Sequence, residues 1–97
     1  MYRIVAKQAL TETITKYIVE APFIARKRKA GNFVIIRVME GGERIPLTIV
    51  DSDTQAGTIT LIVQAIGRTT KLLATKNEGE FIQDVLGPLG NPTPIEN

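Results

Sequence analysis

Residues 58–66 alternate between two kinds of side chain, and this alternation constrains the fold more than any other feature of the chain. One set is largely polar and the other is apolar. The first contains Thr58, Thr60, Ile62 and Gln64, and the second contains Ile59, Leu61, Val63 and Ala65. A period of two is typical of a β-strand with one buried face. The segment therefore predicts a strand of an antiparallel sheet.

Five other segments are rich in β-branched and aromatic residues and are separated by turn signals. They span residues 2–9, 13–20, 32–39, 44–50 and 81–86. Only residues 69–76 have the pattern of a helix, with Thr69 or Thr70 available as its N-cap. We therefore expect an all-β domain of six strands and one short helix, built as a small antiparallel barrel or sandwich.

Composition limits the chemistry that such a domain can perform. The 97 residues fit one domain and include no Cys and no His, so thiolate and imidazole ligands are both missing. A free-standing hydrolase or metalloenzyme is not expected. Reactions that side chains alone cannot perform would have to be supplied by an organic cofactor. No apolar run approaches the roughly 20 residues that cross a bilayer, and the N-terminus lacks a signal pattern. We expect a cytoplasmic protein without a membrane segment.

The basic run Arg26-Lys-Arg-Lys29 has two interpretations. It can be a solvated loop or turn between Pro22 and Gly31, or an anion-binding surface for nucleic acid or a cofactor phosphate. No aromatic residue is interleaved for stacking bases, and the net charge of the chain is only +2. These features favour the solvated turn and argue against nucleic acid as a partner.

The segment Gly67-Arg-Thr-Thr70 lies where the predicted strand ends and the predicted helix begins. Free backbone N–H groups and the positive end of the helix dipole meet at such a point, which favours an anion. Glycine lets a phosphate approach the backbone, the hydroxyls of Thr69 and Thr70 can donate to it, and Arg68 adds charge. The same residues also describe an ordinary strand-to-helix turn.

The segment Arg44-Ile-Pro-Leu-Thr48 combines a cation, a stiff backbone and a hydroxyl. Arg44 could pair with a phosphate while Thr48 faces a ring nitrogen. Pro46 cannot donate a ladder hydrogen bond and therefore indicates an edge, a bulge or a break in the strand. An edge strand with one surface Arg and one Thr is the alternative.

The order of four segments along the chain resembles the N-terminal domain of the ferredoxin-reductase superfamily. The segments are residues 31–33, 44–49, 59–67 and Gly87-Pro-Leu-Gly90. The resemblance is greatest to the electron-transfer subunit of dihydroorotate dehydrogenase and to the FAD subunit of NADH-dependent ferredoxin:NADP oxidoreductase, also called sulfide dehydrogenase. It implies a six-stranded antiparallel Greek-key barrel with a short helix that binds FAD against its outer surface.

The resemblance also implies roles for individual residues. Thr48 matches the hydroxyl near flavin N5, and Leu47 stands where many relatives have Tyr. Arg44 precedes Thr48 by four residues, one more than the usual spacing of the phosphate-binding Arg, with Pro46 between them. A further set matches the strand beside the cofactor and the phosphate segment: Val63, Gln64, Ala65, Gly67, Arg68, Thr69 and Thr70.

A domain organisation and partners follow from the same resemblance. Residues 1–90 would be the FAD-binding barrel, and residues 91–97 a linker toward a C-terminal NAD(P)-binding domain that is absent from this chain. The whole protein would pass electrons between NAD(P)H and an iron–sulfur subunit. We expect this part alone to be inactive and able to form a homodimer. The alternatives are a small β-barrel binding module for nucleic acid or protein, and a purely structural subunit.

Overall fold

The computed structural model describes residues 1–90, which form seven β-strands and two short helices. In chain order they are β1 Tyr2–Ala9, β2 Ile14–Glu20, α1 Pro22–Lys27, β3 Phe33–Arg37, β4 Arg44–Asp53, β5 Thr58–Gln64, α2 Arg68–Ala74, β6 Phe81–Ile82 and β7 Asp84–Leu89. The predicted linker, residues 91–97, lies outside the described residues. Within residues 1–90, neither helix has the length and apolar character needed to cross a membrane.

The strands form one antiparallel sheet in the order β6-β1-β2-β5-β4-β3-β7. β6 pairs with β1 at one edge and β7 pairs with β3 at the other. Gln83 alone separates β6 from β7, so the two edges of the sheet are joined by one continuous stretch of chain. The sheet therefore curls round on itself. The predicted all-β antiparallel fold is confirmed.

The number of elements differs from the prediction in two places. The predicted strand over residues 81–86 is two strands, because Gln83 leaves the ladder and donates its N–H to Val38 O at 3.3 Å. A second helix, α1, covers Arg26 and Lys27, which were expected in a turn. Its six residues are too few to show a helical period, but Pro22 at its start fixes a helical φ. Ile24 and Ala25 hold it against the sheet because both are buried.

The inward-facing residues of the strands form the core. Alternation places one face of each strand inside, as the sequence of β5 predicted. The fully buried side chains include Ile4, Tyr17, Val19, Val34, Ile36, Ile49, Ile59, Leu61, Val63, Leu73 and Ile82. Leu73 is the residue through which α2 enters this core, so the helix is fixed over the sheet by apolar packing.

Tyr17 is the polar connection between α2 and the sheet. Its hydroxyl oxygen lies 2.7 Å from Leu73 O, which also accepts the N–H of Lys76, and 3.0 Å from Lys76 O, at the C-terminal end of the helix. Burial, and to a smaller extent the charge of Glu80, raises the pKa of Tyr17 to about 12 from its ordinary value of 10.0. Folding therefore favours the protonated phenol.

Replacing Tyr17 should change how stability depends on alkaline pH. Because the folded pKa is higher than the unfolded one, the stabilisation is complete below pH 10 and is lost as the pH rises toward 12. The wild-type free energy of unfolding should fall by about 2 kcal/mol over that range through this group. Tyr17→Phe should be about 1 kcal/mol less stable at pH 7 but should lack this decline. Urea unfolding at several pH values measures both, and parallel pH profiles would contradict the prediction.

Candidate functional site

A gap in strand pairing separates the first half of β4 from the last part of β5. The two strands pair from Ile49 opposite Leu61 to Asp53 opposite Thr58, and no pairing is formed beyond Ile49 and Leu61. Residues 44–48 pair only with β3, and β5 beyond Leu61 pairs only with β2. We call the space between residues 44–48 and residues 62–66 the β4–β5 gap. The two segments singled out in the sequence lie along this gap.

Backbone donors on both sides point into the gap. Ile49 donates its N–H to Asn32 O on the β3 side, and Ala65 donates its N–H to Thr13 O on the β2 side. Successive residues of a strand direct their backbone groups to opposite sides. The N–H groups of Thr48 and Gln64 are therefore directed into the gap, where a ligand can accept them.

Pro46 lies in β4 at a position where no strand is paired on the side of its nitrogen. Its lack of an N–H therefore costs no ladder hydrogen bond. It is opposite Ile35 of β3 and has the same parity as Thr48, so its nitrogen faces the gap. The pairing of β4 with β3 is regular through Pro46, and the register shift of β4 lies between Ile49 and Asp51. Of the edge, bulge or break that the proline indicated, the structure shows an edge.

The side chains of the β4 segment fall on two faces. Arg44, Pro46 and Thr48 are exposed on the outer face, while Ile45 and Leu47 are half-buried and pack against the core. The structure therefore separates Leu47 from Thr48. Direct stacking of Leu47 on a ligand that lies against the outer face is not supported by this arrangement.

Of the three β5 residues predicted beside the cofactor, only Gln64 directs its backbone N–H into the gap. Val63 has a buried side chain, and Ala65 uses its N–H to extend the pairing with β2. Gln64 is exposed and presents its backbone N–H to the gap. Beyond it, Ile66 is 73% exposed, so the strand leaves an apolar side chain in solvent immediately before Gly67.

Gly67 is the N-cap of α2, and the hydroxyl of Thr70 is used in this cap. Thr70 Oγ1 accepts the N–H of Gly67 at 2.9 Å and that of Ile66 at 3.1 Å, and it donates to Gly67 O. This hydroxyl is therefore committed within the turn. Within residues 1–90, the N–H groups of Arg68, Thr69 and Thr70 have no acceptor. Those three donors face the start of the helix.

Glu43 connects the beginning of β4 to the beginning of α2. The buried Thr69 donates its hydroxyl to Glu43 Oε1 at 2.6 Å, across 26 residues of sequence. This contact brings the two predicted segments together at one end of the gap. Glu43 was not predicted from the sequence, because its only local signal is that it follows the Gly41-Gly42 turn and precedes β4.

Arg44 and Thr69 line different cavities. Arg44 lies beside Arg37 in a groove of about 390 Å³ on the outer face of β3, β4 and β7. Arg68, Thr69 and Glu43 line a separate cavity of about 210 Å³ next to the β3–β4 loop. The structure therefore does not bring the Arg44 guanidinium to the Gly67–Thr70 segment.

The basic run divides between a structural and a solvated part. Arg28 Nη2 donates to Ile49 O at 3.3 Å, where β3 no longer supplies a ladder donor. Lys27 Nζ lies 5.5 Å from the centre of the Phe23 ring, and Arg26, Lys27 and Lys29 are exposed. One of the four cations thus supports β4, and the other three face solvent.

Solved structures of two reductases are among those that share this fold. The cytochrome b5 reductase domain of Ulva prolifera nitrate reductase has a TM-score of 0.64 and 16% identity over 92% of this chain and 40% of that chain, which shows the fold alone. An NADH-dependent reduced ferredoxin-NADP oxidoreductase, described for flavin-based electron bifurcation, has a TM-score of 0.95 and 41% identity. That match covers 100% of this chain and 35% of the other. The chain therefore has the fold of a domain of the ferredoxin-reductase type, as predicted.

The curated relatives include electron-transfer subunits. The chain is 43% identical over 94 residues to the dihydroorotate dehydrogenase B electron transfer subunit homolog of Thermotoga maritima, covering 97% of this chain and 33% of the relative. The chain spans about a third of the length of the curated relatives that it matches. No protein-family model matches it. These similarities support the reductase interpretation and not the small binding module.

The Thr70 cap should contribute measurably to stability. Thr70→Ala removes the acceptor of two backbone N–H groups and should lower the free energy of unfolding by about 1 kcal/mol. Thr54→Ala is the matched control, since Thr54 is exposed and its hydroxyl makes no hydrogen bond within residues 1–90. Urea unfolding of both variants measures the difference, and equal midpoints would show that the cap adds nothing.

Proposed function

We propose that this chain is the flavin-binding domain of an electron-transfer oxidoreductase and that its cofactor is FAD. The observation that carries the proposal is the β4–β5 gap, which both predicted segments border and into which backbone donors point. The similarity to electron-transfer subunits and to a ferredoxin-NADP oxidoreductase supports the same assignment.

The residues along the gap fit the chemistry of a flavin dinucleotide. An isoalloxazine ring has a polar edge that accepts hydrogen bonds, and the N–H groups of Thr48 and Gln64 and the hydroxyl of Thr48 are suitable donors. We assign the ring to Pro46, Thr48 and Gln64 on the outer surface, with Leu47, Val63 and Ala65 supporting these residues from within their strands.

The phosphates fit the other end of the gap. The free N–H groups at the start of α2 and the exposed guanidinium of Arg68 are suited to a pyrophosphate. Gly67 has only Thr70 Oγ1, at 3.8 Å, near the position of an added Cβ, so its backbone is open to a close approach. We assign the phosphates to residues 67–70 and not to Arg44, because Arg44 lines the separate groove.

The chemistry of the flavin defines what the domain does. FAD supplies the exchange between two-electron and one-electron transfer. The chain itself contributes orientation of the ring, donors toward its polar edge and positive charge toward its phosphates. With no Cys or His in the chain, proton and metal chemistry by those side chains is excluded.

We also propose that the domain works within a larger protein. Following the relatives, an NAD(P)-binding domain would receive hydride from NAD(P)H, and an iron–sulfur partner would take single electrons. The support is that the chain matches about a third of each electron-transfer relative. A cytoplasmic location follows from that role.

A flavin titration with two variants tests the binding site. The full chain should bind FAD saturably, with quenching of flavin fluorescence as the measurement. Gly67→Ala should weaken FAD about tenfold and leave riboflavin unchanged, because a Cβ blocks only the phosphates. The substitution should not unfold the chain, because the Gly67 φ of −122° suits any residue.

Thr48→Ala should behave differently, since Thr48 is assigned to the ring. It should weaken FAD, FMN and riboflavin alike, by about fivefold for one lost hydrogen bond. Thr54→Ala is the control and should change none of them. If none of the three flavins binds saturably to the wild-type chain, the assignment of a flavin site is wrong.

The isolated chain should associate with itself at high concentration. Phe23 and Leu86 are 59% and 60% exposed and line one shared groove of about 220 Å³, a surface suited to contact with another protein. Sedimentation velocity should show an increase in average mass with concentration, which Phe23→Ser should reduce. A monomer at all concentrations would contradict the expected homodimer.

A further inference from the structure

Three charged residues lie side by side across β4, β3 and β7. The pairing register places Arg44 directly opposite Arg37, and Arg37 directly opposite Asp84. The three residues therefore occupy adjacent positions in one row across three strands. Arg44 and Asp84 are the first residues of β4 and β7, and Arg37 is the last residue of β3, so the row is the final paired position of these three strands.

Only one of the two arginines is neutralised within the described chain. Arg37 donates to Asp84 Oδ2 through Nε at 2.7 Å and through Nη2 at 2.5 Å. Arg44 is exposed, and no carboxylate of residues 1–90 lies within 4.0 Å of its guanidinium. The row thus carries one uncompensated positive charge.

This arrangement is unfavourable for the chain on its own. Like charges directly opposite each other on neighbouring strands are destabilising. A charge conflict of this kind at a position fixed by strand register is typical of a functional site. An anion held beside Arg44 would remove the conflict.

The surroundings of Arg44 are shaped to hold more than an anion alone. The groove has a volume of about 390 Å³, and that size is within the range of small-ligand sites, about 300–1,000 Å³. Tyr2, Ile35 and Leu86 supply its apolar side, and Leu86 is 60% exposed. A cation next to an exposed apolar wall is complementary to a flat apolar group that carries a negative charge.

We infer that this groove is a binding site for a small organic anion, a phosphate or carboxylate attached to a flat apolar body. Arg44 binds the charged group, and the ion pair with Asp84 keeps Arg37 in place beside it. Tyr2 and Leu86 contact the apolar body. The groove does not include Arg68 or Thr69, to which the phosphates of the flavin are assigned.

Phenyl phosphate is a suitable probe, with phenol as its uncharged match. In a titration of the ¹⁵N-labelled chain followed by NMR, phenyl phosphate should shift the side-chain N–H of Arg44 and the amides of residues 84–86 saturably. Arg44→Gln should weaken the binding at least about tenfold, as for loss of one charge-assisted contact. The matched control is Arg26→Gln, an exposed Arg outside the groove, which should change the affinity less than about twofold.

A second variant tests the apolar side of the site. Leu86→Ala should weaken phenyl phosphate but leave inorganic phosphate unchanged, since only the first has an apolar body. Leu86 is exposed, so the variant should fold, and the amide spectrum verifies this.

Three results would overturn the inference. Phenol could bind as well as phenyl phosphate, Arg26→Gln could weaken binding as much as Arg44→Gln, or the shifts could cluster at residues 66–70. The first result would show that the negative charge is not recognised. The second would show that binding depends only on general surface charge, and the third that the probe binds at the start of α2. None of them bears on flavin binding, which is measured separately.

Discussion

The missing N–H of Pro46 is the constraint on which the candidate site depends. A central strand has neighbours on both sides and must donate to both, which a proline cannot do. Pro46 is therefore compatible with β4 only where β5 is not its partner, and the pairing with β5 begins three residues later at Ile49. The opening between β4 and β5 follows from the backbone chemistry of one residue.

The rest of the site is built around that opening. β2 and β3 hold the diverging strands from outside, so residues on both sides keep regular geometry without pairing to each other. The contact between Thr69 and Glu43 then sets the position of α2 at the far end. Apolar packing of Leu73 and the hydroxyl of Tyr17 fix the other end of the same helix.

Much of this arrangement could be predicted from the sequence, because it depends on local patterns. Alternation identified β5, and Pro46 indicated an edge. A helix was predicted over residues 69–76, but α2 spans Arg68–Ala74 and its N-cap is Gly67, not Thr69 or Thr70. The role of Thr70 was harder to predict, since its hydroxyl could serve either a ligand or the turn, and the hydrogen bonds show that it serves the turn. Glu43 and the row of Arg37, Arg44 and Asp84 depend on contacts between distant strands. Patterns within a short stretch of sequence do not predict such contacts.

The α1 helix and the break at Gln83 show a second reason why part of the fold could not be predicted from the sequence. α1 is shorter than the period by which helices are recognised, and its stability comes from the burial of Ile24 and Ala25 against elements far away in sequence. Gln83 leaves its strand for a carbonyl on the β3 side, at Val38. In both cases tertiary contacts decided the local structure.

The single residue between β6 and β7 has a consequence for how the chain avoids unwanted association. A sheet with two free edges offers its unpaired backbone groups to other chains and tends to aggregate. Here one stretch of chain covers parts of both edges, and Glu80 O and Glu78 Oε2 accept further N–H groups of β1, from Ile4 and Lys7. The N–H groups of Thr48 and Gln64, by contrast, face the opening between β4 and β5. A flat small molecule can reach them there, whereas an incoming strand would have to force apart two strands that are joined at Ile49 and Leu61.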